Sequence, residues 1–424
     1  MHIVILSDTL PPDSPGGAGK IAWLLGQGLI GAGQRVTFIT SSTGPSRVEV
    51  RQGIPVHVLY SKYPERFVAW LSLFNPWTVW PLNRLLRELK PDVVHAHNIH
   101  QHLSYHSMVI GHASKAATVF TSHDVMPFAY AKLDRFIDPK CPDQMDGWDY
   151  RLPFGYNWRQ ARLRWNPARN LSVRHTMKHY TDMRIAVSYA HKAALEANGL
   201  PPFDVVYNGI DIRDFEAADA GMMVLRQRYK LEGQRVILFG GRINIAKGEA
   251  QLMAALRQVK QKVSNFRLLV LARPSVHTER MLHEHADLAE HIVLGGWLDG
   301  VELATAYRMA DIVASPSVYA DPFPTVNLEG MAAGAVPVTT CFGGSREAVI
   351  DGETGFVVNP YDIEALADRM VRLLTDEPLR QRMAEAGRAR YLQQFTLEKF
   401  SERMINVYER ALAQRRSSGR SSDR

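Results

Sequence analysis

The chain has almost no cysteine: Cys141 and Cys341 are the only two in 424 residues. Two thiols cannot form a disulfide framework or a cysteine-ligated zinc site, and their scarcity fits a reducing compartment. No apolar run approaches the roughly 18 residues that would read as a membrane-spanning helix. The opening Met1-His2-Ile3-Val4-Ile5-Leu6-Ser7-Asp8 is apolar but short, lacks a basic leader and ends at Asp8. It therefore reads as a first buried strand rather than a signal peptide. These absences point to a cytoplasmic protein, at most one that works at the inner face of the membrane. Acid is missing from one long stretch. Arg151, Arg159, Arg162, Arg164, Arg169, Arg174 and Lys178 follow one another with no Asp or Glu among them, in a chain of formal charge +7. Such an excess favours phosphates, nucleotides or anionic lipid as partners, or else marks a solvated helix face. Nothing resembles a nucleic-acid-binding module.

A chain of this length suits two domains. Its apolar runs are short and continuous: Ile3–Leu6, Val36–Ile39, Val93–Val94, Val119–Phe120 and Ile185–Val187. A second series follows at Val236–Phe239, Leu268–Leu271, Ile292–Leu294, Ile312–Ala314, Val336–Val338 and Phe356–Val358. Continuous runs between helical periodicities are expected of parallel strands buried on both faces, so the pattern predicts two doubly wound α/β lobes. The break is expected at Gly199-Leu200-Pro201-Pro202, since paired prolines cannot continue a helix. This gives a first lobe over 1–202, with an insertion at about 130–166, and a second over 203–396. A helix over 397–413 and a disordered Ser/Arg-rich tail over 414–424 complete the chain.

Open sheets of this kind bind ligands outside the carboxyl ends of their strands, and the motifs cluster there. Gly16-Gly17-Ala18-Gly19 precedes a helix, where backbone N–H groups can approach a phosphate. The glycines stand too far from the strand for a dinucleotide fingerprint, and no acid ends the second strand. Phe239-Gly240-Gly241-Arg242 closes the first strand of the second lobe, and Lys247-Gly248 follows. A guanidinium and an ammonium five residues apart across a strand-to-helix turn can converge on one diphosphate. In Asp321-Pro322-Phe323-Pro324-Thr325-Val326-Asn327-Leu328-Glu329, Pro324 suits a helix's first turn. The N–H groups near Thr325 and Val326 then have no intrahelical partner, and Asp321 and Glu329 can touch different parts of one ligand. Gly343-Gly344-Ser345-Arg346-Glu347 forms a further strand-to-helix turn.

Together these residues resemble the family 4 retaining glycosyltransferases (glycosyl transferases group 1) of GT-B fold, over about residues 1–413 and most closely from Asn208 to Gly355. The resemblance implies two Rossmann-like lobes facing a central cleft. The first lobe would be on the acceptor side, the second would bind the nucleotide sugar, and the C-terminal helix would cross back to the first. It implies that Arg242 and Lys247 hold the donor diphosphate, that Asp321 lies by the donor sugar and that Glu329 holds the ribose. Backbone groups of Phe323, Pro324, Thr325 and Val326 would contact sugar and phosphate, and Gly16 and Gly17 would close over the diphosphate. His123, in Thr121-Ser122-His123-Asp124, would reach the donor sugar beside the reacting carbon. Three departures stand out. Asp321 replaces the family's usual Glu, Ala272-Arg273-Pro274-Ser275 replaces a glycine-rich turn, and Arg346 replaces a proline.

The implied reaction is retaining transfer from a nucleotide-diphosphate sugar to a glycan or lipid-linked glycan, in polysaccharide biosynthesis, with no cofactor. No Asp-x-Asp motif occurs, so no metal is expected. Another GT-B enzyme, such as an epimerase or phosphorylase, and a non-catalytic sugar-nucleotide-binding protein are the competing readings. His95, His97, His100, His102 and His106 form either scattered strand-end and helix histidines or a metal cluster, and their irregular spacing favours the former. The aromatic stretch Phe67–Trp80 reads as a buried helix, an apolar acceptor groove or a peripheral membrane contact.

Overall fold

A computed structural model describes residues 1–13, 17–239 and 243–422. The chain divides into two compact units. Unit 1 comprises Met1–Leu133, Tyr150–Gly209 and Leu397–Arg424, and unit 2 comprises Asp134–Asp149 and Ile210–Thr396.

All eleven apolar runs noted in the sequence lie in or overlap strands. Unit 1 contains β1 (His2–Leu6), β2 (Arg35–Ser42), β3 (Arg47–Arg51), β4 (Ile54–Tyr60), β5 (Val93–Ala96), β6 (Ala117–Ser122), β7 (Met183–Ala186) and β8 (Asp204–Val205). They form one sheet ordered β3-β4-β2-β1-β5-β6-β7-β8. Only β3 is antiparallel, in a hairpin with β4 at the sheet edge. Unit 2 contains β9 (Arg235–Phe239), β10 (Phe266–Val270), β11 (Ile292–Leu294), β12 (Ile312–Ser315), β13 (Val336–Thr340) and β14 (Phe356–Val358), ordered β11-β10-β9-β12-β13-β14 and parallel throughout. Each sheet reverses direction of winding beside its first strand, between β1 and β5 and between β9 and β12. Loops leaving adjacent strands there diverge and leave a crevice for a ligand.

The strands are buried because β-branched and aromatic side chains cover both faces. Ile3, Val4, Ile5 and Leu6 have no exposed surface, and neither do Val236, Ile237 and Leu238. In unit 2 the helix Glu249–Lys262 packs Leu252, Leu256 and Val259 into a core shared with Phe266, Leu268, Val336 and Leu373. Each such side chain contributes about 1.5–3 kcal/mol on leaving water.

Three boundaries differ from the sequence reading. After Pro201-Pro202 the chain stays in unit 1, because β8 pairs with β7 through Ile185↔Asp204 and Ala186↔Val205. Unit 2 begins at Ile210, whose N–H donates to Phe395 O at 3.0 Å. The middle of the expected first-lobe insertion, 134–149, belongs to unit 2. Its Phe136 and Trp148 rings pack against Phe342 at 5.9 and 5.2 Å, and Asn359 Nδ2 donates to Gln144 O at 3.0 Å. Finally, the terminal helix runs Leu397–Ser422 where a disordered tail was expected from 414. It lies in unit 1, and Tyr408 Oη meets His95 Nδ1 at 2.8 Å.

Candidate active site

In unit 2 the loops leaving β9 and β12 are tied together by backbone contacts. Asn244 accepts from the Lys247 N–H at 3.1 Å, setting a short 3-10 turn over Ile245–Lys247. Val318 N–H donates to Ala246 O at 2.9 Å. Gly248 lies so close to Pro316 that a Cβ at 248 would be 1.8 Å from its carbonyl oxygen. The result brings Lys247 Nζ to 2.6 Å from Asp321 Oδ2. Tyr319 Oη donates to the same oxygen at 2.9 Å, and the ammonium lies 5.4 Å from the Tyr319 ring centroid. Burial opposes the charge on Lys247, but the Asp321 carboxylate, with Tyr319, outweighs it and holds the ammonium above its ordinary range. Asp321 is fixed from its other side by Gly343. The two residues form a β-bridge, Gly344 N–H donates to Asp321 O at 2.9 Å, and a Cβ at 343 would be 2.1 Å from that oxygen.

The helix Thr325–Ala333 begins just beyond, with Pro324 as the residue before it rather than within its first turn. Its Asn327 Oδ1 accepts from Ser315 Oγ at 2.8 Å, and its Asn327 Nδ2 donates to Thr339 Oγ1 at 3.1 Å. These buried bonds pin the helix start to β12 and β13. The first-turn N–H groups of Thr325 and Val326 have no carbonyl one turn back to bond, so the helix end carries partial positive charge. Glu329, 6% exposed, accepts the Tyr307 hydroxyl at 2.6 Å. Burial, reinforced by Glu329, pushes the Tyr307 phenol well above its usual range, so it stays a donor. A cavity of about 490 Å³ opens beside this turn, lined by Asp134, Arg135, Ile137, Ile245, Ala246, Val318 and Tyr361.

In unit 1, Asp8 follows β1 and is only 3% exposed. Its carboxylate accepts N–H groups of Gln101 at 2.8 Å, His102 at 2.9 Å and Leu103 at 2.7 Å, which joins the loops after β1 and β5. The helix Gly17–Gly31 starts at Gly17, where an added Cβ would meet nothing within 4 Å. His123 follows β6, and its Nε2 lies 2.7 Å from His97 Nδ1. Burial holds the His123 imidazole down to about 4, with Asp124 pulling it part of the way back. The same cause, aided by His123, holds His95 at about 3. Burial, with His95 and His123 beside it, holds His97 well below its ordinary value too, so both rings of the His97–His123 pair are neutral near pH 7, one nitrogen donating and the other accepting. His97 Nε2 is buried and has no hydrogen-bond partner among the described residues.

The structure thus brings Lys247 to Asp321 and sets both beside the turn that leads into Phe323, Thr325 and Glu329. Gly16 and Arg242 lie outside the described residues. Of the other histidines the sequence singled out, His95 bonds Thr121 and Tyr408 and packs its ring 4.2 Å from that of His97, His100 lies 3.7 Å from Asp124, and His102 bonds Ser61. Among the described residues no group of three or more His, Cys, Asp or Glu is arranged to hold a metal. The sequence reading missed Tyr307, Tyr319 and the clamp at Asp8. Tyr319 carries a local signal, since in an extended segment it falls on the same side as Asp321. Tyr307, in a different helix from Glu329, carries none. At Ala272-Arg273-Pro274-Ser275 the guanidinium of Arg273 lies 5.4 Å from the centroid of Trp297, an exposed ring that the sequence reading also passed over.

Residues 224–390 match the family described as Glycosyl transferases group 1, and residues 15–214 match Glycosyltransferase Family 4. A phosphatidyl-myo-inositol mannosyltransferase of Mycobacterium tuberculosis is 30% identical over 231 residues, which is 53% of this chain and 59% of that protein. The chain thus spans a little over half the length of that curated relative in the match. A glycogen synthase of the same species is 27% identical over 434 residues, covering 96% of this chain and 94% of its own. Among solved structures, sucrose-phosphate synthase from Thermosynechococcus elongatus has a TM-score of 0.75 at 21% identity, covering 97% of this chain and 99% of its own. Anabaena HepE in complex with UDP and glucose has a TM-score of 0.69 at 18% identity, over 96% and 99%. At these identities the structural likeness is one of fold: two parallel-sheet α/β domains of GT-B type.

Proposed function

Because the chain belongs to the group 1 glycosyl transferases of glycosyltransferase family 4, we propose that it moves a sugar from a nucleotide-diphosphate donor to a glycan or lipid-linked glycan acceptor, with retention of configuration, at the cytoplasmic face of the membrane. The observation that carries this reading is the Lys247–Asp321 pair, 2.6 Å apart in loops leaving β9 and β12 beside the N-terminus of Thr325–Ala333. Glycosyl transfer develops positive charge at the sugar ring and negative charge on the departing phosphate. A fixed cation and a helix N-terminus stabilise that negative charge where it grows, at no cost of reorganisation.

In this proposal Lys247, with Arg242, holds the diphosphate, Asp321 orients sugar hydroxyls, and the Phe323–Val326 turn contacts sugar and phosphate. Glu329, oriented by Tyr307, holds the ribose, and Gly16 and Gly17 contact the phosphates. His123, kept neutral, offers a hydrogen bond to the donor sugar. The leaving phosphate takes the acceptor's proton as the acceptor attacks from the same face, so catalysis consists of positioning and electrostatics, without a covalent enzyme intermediate. The solved HepE complexes, with UDP and with UDP-glucose, support a uridine nucleotide as the first donor to try.

A thermal-shift screen of nucleoside-diphosphate sugars identifies the donor, since a ligand bound only by the folded state raises the midpoint. The purified protein is then expected to release free nucleoside diphosphate faster when acceptor is added, and the product's anomeric signal in NMR is expected to keep the donor's configuration. Donor binding with neither transfer nor slow hydrolysis, across donors and acceptors, would rule the proposal out. An inverted product would remove the retaining step.

A further inference from the structure

Unit 1 carries an apolar and basic surface that the transfer reaction does not use. The helix Pro76–Leu89 buries Thr78, Val79, Leu82 and Leu86. Its outer stripe, at spacings of three and four, is Trp77, Trp80, Arg84 and Arg87, all exposed. A helix against water ordinarily shows polar residues there; this one shows two indoles followed by two guanidinium groups. The turns before it add Phe67, Trp70 and Phe74, with Trp70 at 56% and Trp80 at 67% exposure. A second segment matches the first. Phe154 and Leu163 are fully exposed, at 102% and 104%, and Trp158, Trp165 and Leu171 are exposed as well.

The two segments are joined. Asn166 Nδ2 donates to Ala69 O at 3.2 Å, and Arg169 Nε donates to Ser72 Oγ at 3.4 Å. These bonds seat Trp165 and Trp70, the sequence neighbours of Asn166 and Ala69, at one seam. The charge on these segments is predominantly positive, with Glu88 paired to Arg84 at 2.8 Å where the helix ends. No Asp or Glu stands between Arg66 and Arg87 or between Arg151 and Thr181, and Arg66, Arg159, Arg162 and Arg164 are exposed. Arg169 is the exception, buried at 1% where it holds the seam rather than facing outward.

We propose that this face docks on an anionic lipid bilayer, with Trp70, Trp77, Trp80, Trp158 and Leu163 in the headgroup region and the flanking arginines on lipid phosphates. Indoles prefer the membrane–water boundary, where an apolar body and an N–H donor are both satisfied. Cations near an anionic surface add attraction that salt screens. A protein partner could also engage indoles, but it would have to supply acids complementary to the same cations. The idea rests on the proposed function only in expecting a membrane-side acceptor. Its test uses neither donor nor acceptor, so either reading can fail alone.

The experiment is flotation of the full chain with vesicles of phosphatidylcholine alone and of phosphatidylcholine mixed with phosphatidylglycerol. Binding is expected to the mixed vesicles only, and to fall with added salt. Each arginine near the surface is worth about fivefold in partitioning, so Arg162→Ala with Arg164→Ala lowers binding by roughly 25-fold. Trp70→Ser with Trp80→Ser abolishes it. These side chains are exposed, so circular dichroism and the unfolding midpoint stay at the parent values and exclude a folding defect. Absence of flotation with either vesicle, or equal flotation with both, overturns the proposal. So does a concentration-dependent dimer in sedimentation that the tryptophan variant loses without any vesicle binding, which would assign the face to a second copy of the chain.

Discussion

Lys247 and Asp321 are 74 residues apart in sequence and 2.6 Å apart in space. The pair is held from behind by Gly248 against Pro316 and by Gly343 against Asp321. One N–H of an ammonium can serve the carboxylate while others remain directed elsewhere, so a cation held this way is both positioned and able to engage a phosphate oxygen.

Replacing Lys247 by alanine is expected to lower kcat by about 10²–10³, the usual cost of losing one preorganised charge-stabilising donor. Lys247→Arg is expected not to restore it, because a planar fork cannot occupy the place of a compact ammonium packed over Tyr319. Steady-state kinetics with saturating donor distinguish a loss in kcat from weaker binding. Activity of Lys247→Ala within a few fold of the parent would contradict the assigned role.

Gly343→Ala tests the other side of the pair. Its φ of 72° is unfavourable for alanine, and the added Cβ would meet backbone atoms of Asp321, which cannot swing away. Strain and displacement together are expected to cost about 1–3 kcal/mol, read as a lower unfolding midpoint, and to reduce activity with it. Gly17→Ala, with open space around its Cβ, is the control. It is expected to leave stability nearly unchanged, so any loss of activity there reports on ligand approach.

Tyr307→Phe removes the hydroxyl that Glu329 accepts at 2.6 Å. A buried carboxylate deprived of a donor costs about 1–3 kcal/mol. If Glu329 holds the ribose, KM for the donor is expected to rise several-fold while kcat changes little, because the ribose is remote from the bond that breaks. A change confined to kcat, with KM unmoved, would take Glu329 and Tyr307 out of donor binding.

What could be read in the sequence followed from burial. Strands covered on both faces carry continuous apolar runs, so β1 and β9 stand out in a single pass. The β3–β4 hairpin did not, because Val48 and Val50 of β3 are 66% and 69% exposed and the strand looks like a loop. Nor did the seating of 134–149 in unit 2, since Phe136 and Trp148 carry no local mark of pairing with Phe342, two hundred residues on. The motifs at the ends of β9 and β12 identified Lys247 and Asp321 separately. Their direct pairing depends on a backbone contact between Gly248 and Pro316, which no spacing rule contains. Arg169 shows the opposite failure: read as one of a run of surface cations, it is buried and donates to Ser72 and Met126.

The buried and half-buried histidines of unit 1 make its stability sensitive to acid. Burial depresses His123 to about 4 and His95 to about 3, and holds His97 lower than ordinary as well. An unfolded histidine takes up its proton near pH 6.5, so below that pH the unfolded chain binds more protons than the folded one. Stability is then fully present above about pH 6.5 and declines as pH falls toward 4, where His123 itself titrates. Each tenfold difference in proton affinity is worth about 1.4 kcal/mol, so His123, which is partly exposed, contributes at most about 3 kcal/mol to the loss. His123→Asn keeps hydrogen-bonding capacity without a titrating group, and is expected to flatten the fall in unfolding midpoint between pH 6.5 and 4 relative to the parent. Its activity separates two roles: lost turnover with a flattened stability profile is the result expected of a neutral ring that touches the donor sugar. An unchanged profile in the variant would mean that His123 is not held neutral by its surroundings.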